Sequence, residues 1–164
     1  VDMPEQEGTY ELVAEIEGAE GEVVRSLRDF SVVNEENVGL AYRKPVTASS
    51  CYDQRRYPPE AAVDGDPQTR WASEFTPDEW IAVDLGEVRT VSRVELLWEN
   101  ASARAYTVQV SRDGQTWQNV YSTEKADGGE DIIEVEPVKA RHVRILCTER
   151  TTRFGYSLWG FRVF

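Results

Sequence analysis

The stretch Ala61 to Trp71, reading AAVDGDPQTRW, gathers more groups with chemistry to offer than any other in the chain. Asp64, Asp66 and Thr69 surround Gly65 and Pro67, a poor recipe for a helix or strand and a good one for a loop. Short carboxylates beside a glycine can turn their oxygens, and the neighbouring backbone carbonyls, toward one point, as a hard cation such as calcium requires. An Asx turn that merely reverses the chain uses the same residues, and spacing alone leaves both readings open. An EF-hand is excluded, because a loop counted from Asp64 would put Gln68 at its fifth position, Thr69 where glycine belongs and Phe75 where the bidentate glutamate belongs.

A second set of groups is aromatic. Tyr52, Tyr57, Phe75 and Tyr156 fall in segments that read as loops, beside Asp53, Arg55, Arg56, Arg70, Glu74, Glu99, Arg150 and Arg153. Rings stack on the apolar C–H face of a pyranose while carboxylate and guanidinium groups pair with hydroxyls, so such a surface suits a sugar. Loop aromatics folded under for packing would give the same pattern, and spacing does not separate the two.

Support for catalysis is thin. His142, the only histidine, lies inside the strand pattern RHVRI and reads as a structural or surface-facing imidazole. GYSLWG at 155 to 160 lacks the glycine spacing of a nucleophile elbow, and there is neither a phosphate-binding glycine loop nor an HExxH. With 30 acidic residues in the chain, nominating any pair of carboxylates carries no information. Cys51, Cys147 and one histidine fall short of a four-ligand zinc site, which leaves either a Cys51–Cys147 disulfide or two buried thiols.

The formal charge of −12 is unevenly spread: residues 1 to 38 carry 11 acidic and 2 basic side chains, a balance of −9, leaving −3 for everything after. Neither part has the positive field that phosphate backbones or anionic lipid surfaces attract, which argues against nucleic acid and nonspecific membrane binding. No apolar run of about 18 residues occurs, and VDMPEQEG is not a signal peptide, so any export signal is expected outside this sequence.

The elements that must position these groups read as strands. Tyr10, Leu12, Ala14 and Ile16 alternate with polar residues; Gly18 to Gly21 reads as a turn; and Glu22 to Val33 is a second extended run with Val24, Phe30 and Val32 on one face. Residues 1 to 36 are therefore expected to be a β-hairpin, the end of a preceding domain or an addition to the main body, with Asn34 to Asn37 a solvated linker. In the main domain, 37 to 164, strands are expected at 46–50, 80–85 (closed by Gly86), 90–98, 106–111, 117–122, 131–135, 140–147 and 158–164. Asp113-Gly114 is a hairpin signal, Cys147 shares an inward face with Val143 and Ile145, and Trp80, Trp98 and Trp117 read as core. Short strands with turns between them and no amphipathic helix describe an all-β sandwich or barrel.

From about Asn37 to Phe164 the chain resembles the discoidin domain, also called the coagulation factor 5/8 C-terminal domain, and within it carbohydrate-binding module family 32 of bacterial glycoside hydrolases. The matching motifs, in order, are NVGLAYRKPVTASS, AAVDGDPQTRW, WIAVDLG, VELLWENASARAYTVQVSRDGQTW, ARHVRI and FGYSLWGFRVF. The resemblance implies an eight-stranded antiparallel jelly-roll β-sandwich. It also implies one structural calcium held by the Asp64 carboxylate, the Asp66 and Thr69 regions and the Ala61 carbonyl. Close relatives read GYSLWEFEV near the end and use that glutamate as a further ligand; here the position is Gly160, which implies weaker calcium binding. The pattern of relatives that bind chitosan-like or β-glucan chains falls on Asp53, Arg70, Phe75, Glu99 and Tyr156. Phe75 and Tyr156 would be stacking platforms, Asp53 and Glu99 acceptors, and Arg70 either a ligand contact or a bridge between loops. Galactose-binding relatives use a loop histidine, which this chain lacks.

The implied function is a non-catalytic, monomeric module that tethers a secreted or surface-attached bacterial glycoside hydrolase to a polysaccharide or glycan. A discoidin adhesion domain binding a protein or phospholipid head group, or a spacer whose ligand face has decayed, are the rival expectations.

Overall fold

The computed structural model describes residues 8–17, 23–32 and 35–164, and the chain divides into two compact units, Val1–Asn37 and Val38–Phe164. In the first unit β1 (Gly8–Glu17) pairs antiparallel with β2 (Val23–Val32), from Gly8 opposite Val32 to Glu17 opposite Val23. The backbone alternates as expected, but the Leu12 and Ile16 face is not buried; Ile16 is 71% exposed. A two-stranded ribbon has no second layer to cover a face. The Gly18 to Gly21 turn, residues 33 and 34, and the Val24, Phe30 and Val32 side chains lie outside the described residues. The expected linker contains one helical turn, α1 (Glu35–Val38).

The second unit comprises β3 (Val46–Ala48), a 3-10 turn at Pro59–Ala62, β4 (Trp71–Ala72), β5 (Glu79–Trp98), β6 (Ala103–Ser111), β7 (Gln118–Thr123), β8 (Glu130–Arg150) and β9 (Ser157–Val163). Every expected strand segment is present, with two joins. Gly86 takes φ 88° and its amide is held by the Asp84 carboxylate at 2.9 Å, so β5 bulges between Asp84 and Arg89 and continues instead of stopping. In the same way β8 unites 131–135 with 140–147.

Pairing sorts these strands into two antiparallel layers. The first half of β5 lies between β3 and the second half of β8, which continues to β6 and β7; the second half of β5 lies between the first half of β8 and β9, which continues to β4. Between the layers sit Ile81, Val83, Val94 and Leu96 of β5, Val108 of β6, Val143, Ile145 and Cys147 of β8, and Leu158 and Phe161 of β9, all buried. Alternate residues of each strand face inward, which is why the period of two was legible. Buried Trp98 and Tyr106 place their polar tips on one acceptor, Asp131 Oδ2, at 2.9 and 2.8 Å. Of the three tryptophans expected in the core, only Trp98 is fully there; Trp80 and Trp117 are half-buried on the outward face of the first layer.

Candidate ligand-binding cleft and cation loop

The aromatic loops converge at one edge of the sandwich. The segments around 52–57, 70–75, 99–101 and 152–157 enclose a cleft of about 390 Å³. Ser73, buried beneath it, holds the segments together: its hydroxyl accepts the Tyr156 amide and donates to the Glu74 carbonyl, both at 2.8 Å. Arg150 closes the other side, donating from Nη1 to the carbonyl of Phe75 at 2.8 Å and lying 3.3 Å from that of Phe154. Glu79, buried at the foot of β5, takes the hydroxyls of Ser49 and Thr76 on its two oxygens and so ties the Phe75 loop, just after Phe75, to the end of β3.

Phe75 is exposed, 45% accessible, stacked on Tyr52 at 4.9 Å and 17° and in a T-shaped contact with Phe154 at 5.7 Å. Arg70 lies with its guanidinium 4.0 Å from the Tyr57 ring centroid and 5.3 Å from that of Trp159; its buried Nη1 has no hydrogen-bond partner. Glu99 uses Oε2 to accept the Ala101 amide at 2.9 Å, and its other oxygen has no partner among the described residues. One cleft therefore holds a ring face, a guanidinium with donor capacity and a carboxylate with acceptor capacity, the complement of a hydroxylated ring.

Of the five residues expected to bind ligand, Arg70, Phe75, Glu99 and Tyr156 come together in this cleft and Asp53 does not line it. Asp53 Oδ1 accepts the amides of Arg55 and Arg56 at 2.9 and 3.2 Å, so its carboxylate turns its own loop. Tyr156 is corrected as a stacking platform: it is 0% exposed and its hydroxyl donates to the Pro77 carbonyl, which leaves no free ring face. Burial pushes its phenol well above the ordinary range. Tyr52 and Phe154 complete the aromatic rim in its place. Phe154, between Arg153 and Gly155, bears the signal that marks Phe75, an aromatic residue in a charged loop, and could have been found by it.

The cysteines are free, correcting the disulfide alternative. Cys147 is sealed in the core on the inward face of β8, where burial pushes its thiol far up, whereas the Cys51 thiol donates to the Tyr57 carbonyl at 3.2 Å.

In the loop expected to hold a cation, Asp64 Oδ1 accepts the Asp66 amide at 2.8 Å and Oδ2 the Thr69 hydroxyl at 2.7 Å, while Thr69 Oγ1 lies 3.2 Å from the Asp66 carbonyl oxygen. Gly65 takes φ 79°, and a Cβ there would stand 2.9 Å from the Tyr42 ring. Asp64 Oδ2, Thr69 Oγ1 and the Asp66 carbonyl thus form an all-oxygen cluster, a donor set of the kind calcium takes. Asp66 Oδ1 is engaged by the Gln68 amide at 2.8 Å. Among the described residues no group of three or more His, Cys, Asp or Glu side chains gathers for a metal. The loop fits calcium in donor type and is poor in charge.

Comparison with known proteins agrees with this architecture. Over 130 residues the chain is 34% identical to the polysaccharide lyase 8 family protein HylA of Enterococcus faecalis, covering 73% of this chain and 9% of that protein's length. Chitosan-binding module 1 of a chitosanase/glucanase from Paenibacillus sp. IK-5 superposes with a TM-score of 0.75 at 45% identity, over 77% of this chain and 98% of the module. Module 2 of that enzyme, solved with chitotriose, gives 0.74 at 42% identity, over 77% and 99%. The model of the F5/8 type C domain matches residues 45–160, and the chain belongs to that family.

Proposed function

We propose that the chain is a non-catalytic carbohydrate-binding module that holds a chitosan-like or β-glucan-like chain in the Phe75 cleft and tethers a larger secreted or surface-attached bacterial enzyme to its polysaccharide. The observation that carries this reading is the single cleft in which an exposed phenylalanine face stands beside Arg70 and a half-free Glu99 carboxylate. Its likeness at 42–46% identity to modules described as chitosan-binding supports the amino-sugar preference. Chemically, Phe75 takes the C–H face of a glucosamine ring, Glu99 accepts from its ammonium or hydroxyl, and Arg70 donates to a hydroxyl or ring oxygen. A shallow cleft gives modest affinity, since little area is buried and ordering must be offset.

A weakly held structural calcium, with Asp64, the Asp66 carbonyl, Thr69 and the Ala61 carbonyl as ligands, belongs to the same proposal; it would brace the loop that carries Arg70.

Calorimetric titration with glucosamine and β-glucan oligosaccharides tests the reading. Phe75→Ala is expected to weaken both by about tenfold or more, and Glu99→Gln to weaken the glucosamine oligomer more than the glucan. Absence of binding to either sugar, or indifference to Phe75→Ala, would overturn it, and co-sedimentation with anionic vesicles instead would favour an adhesion domain.

A further inference from the structure

A second depression lies on the outward face of the first layer and shares no lining residue with the Phe75 cleft. Strand register sets five residues in one row across β3, β5, β8, β6 and β7: Thr47, Ala82, Arg144, Gln109 and Asn119. The row is hydrogen-bonded at one end, where Gln109 Oε1 accepts from Arg144 Nε at 2.7 Å and Gln109 Nε2 donates to Asn119 at 2.8 Å. Ala82 contributes only a methyl group, so the row dips there, and the dip is the floor of a groove of about 380 Å³. Trp80 and Trp117 wall it; the Arg144 guanidinium lies 4.1 Å from the Trp117 ring centroid and 5.8 Å from that of Trp80.

Arg144 is the feature that asks for a ligand. Its Nε is used by Gln109, but neither Nη has a hydrogen-bond partner and no carboxylate lies within ion-pair distance among the described residues. Asp84, the one carboxylate lining the groove, is already forked by Arg141, with Nε to Oδ1 and Nη2 to Oδ2 both at 2.7 Å. Partial burial without a counter-charge draws the Arg144 guanidinium below its ordinary pKa. The groove therefore presents a planar cation held against the Trp117 ring, with no carboxylate paired to it among the described residues.

A guanidinium with both Nη free matches a carboxylate in a bidentate fork, and the indoles beside it add apolar surface for the C–H groups of a pyranose. One residue type joins both features, a sugar ring bearing a carboxylate. A neutral sugar leaves the cation uncompensated, and an ammonium-bearing glucosamine is repelled by it. We propose that the Trp80–Arg144–Trp117 groove is a second saccharide site, selective for uronate residues and independent of the Phe75 cleft. The two sites would let one module hold an acidic chain and an amino or neutral chain at once, a bivalence that raises retention on a mixed polysaccharide.

Titration of the isotopically labelled full chain with a glucuronate-containing tetrasaccharide, followed by NMR, reads the site directly. Saturable shifts are expected at the Trp80 and Trp117 indole N–H signals. They should weaken at least tenfold with the carboxyl-reduced tetrasaccharide and in Arg144→Gln, and remain unchanged in Phe75→Ala. Ala82→Leu, which fills the floor without removing the cation, should abolish the shifts and covers the case in which Arg144→Gln disturbs the sheet. Equal binding of the reduced sugar, shifts confined to the Phe75 cleft, or retention of binding in Ala82→Leu would overturn the proposal. Since the readout is local to each site, failure here leaves the cleft reading standing, and the reverse holds.

Discussion

The Phe75 cleft and the Trp80–Trp117 groove are similar in volume and both pair aromatic rings with an arginine, yet they are built by opposite means. The cleft is assembled from four loops far apart in sequence, joined at a few points: the Ser73 hydroxyl, the Arg150 guanidinium and the close passage of Gly155. The groove is floored by a stretch of sheet whose side chains are placed by strand register, with Trp117, just ahead of β7, and Gly114 completing its wall. A loop-built site can lose its shape while the sandwich survives, whereas a register-built site keeps its shape as long as the sheet does.

Gly155→Ala is the sharpest way to separate them. A Cβ at Gly155 would stand 2.4 Å from the Glu74 carbonyl oxygen and 2.5 Å from Ser73 Oγ, so the tie beneath the cleft must give way. Overpacking of this kind costs about 1–3 kcal/mol. Chemical denaturation is expected to show that loss, and titration a fall of about tenfold or more in affinity at the cleft, with the indole signals of the groove undisturbed. Full cleft affinity in this variant would mean that the loop closure is not what shapes the site.

The loop at 64–69, the proposed calcium site, offers a milder intervention. Gly160 stands where the family resemblance implies a glutamate, and a Cβ there meets only the Leu97 Cβ at 3.4 Å, an ordinary contact. Gly160→Glu therefore has room at its Cβ and offers a carboxylate to the proposed set. Thermal denaturation with and without calcium should show a small stabilisation of the parent chain and a larger one in Gly160→Glu, an affinity gain of about tenfold being worth ~1.4 kcal/mol. The cleft, whose Arg70 follows the loop directly, should tighten with it; the groove should not respond. Identical calcium responses in the two proteins would remove Gly160 from the cation site.

What the sequence disclosed follows the same division. Alternation located the strands of the main unit and the inward face of Val143, Ile145 and Cys147, because a period of two is imposed by the backbone itself. It did not foresee that β5 runs on through Gly86, since a glycine at positive φ within a bulge has the same signature as one that ends a strand. Nor could alternation say that Trp80 and Trp117 face outward, because that face also carries the apolar Ala82 and Leu146. In the loops, residue type marked a broad set of aromatic and charged residues, and the family resemblance singled out Phe75, Arg70 and Glu99 from it together with Asp53 and Tyr156. The burial of Tyr156 and the turn-forming role of Asp53 depend on the Pro77 carbonyl and on the Arg55 and Arg56 amides, contacts that spacing does not encode.

The smallest expected effect concerns the rim of the groove. The Arg141 fork, aided by the Gly86 amide, holds the Asp84 carboxyl down from its ordinary 3.8 to about 2. A carboxyl depressed in the folded state contributes stability that is fully present above the unfolded pKa and is lost as pH falls through the folded value. The difference in stability between the parent chain and Asp84→Asn should therefore be constant above about pH 4 and vanish as pH falls toward about 2. Because the pair is partly exposed to solvent, that difference should be no more than about 1 kcal/mol. Asp113 is also depressed, by the amides of Thr116 and Gln115, but it is present in both proteins, so the subtraction isolates Asp84. Denaturant unfolding across this window measures it. A flat difference would mean that neither Arg141 nor any other cation holds Asp84 in the folded state.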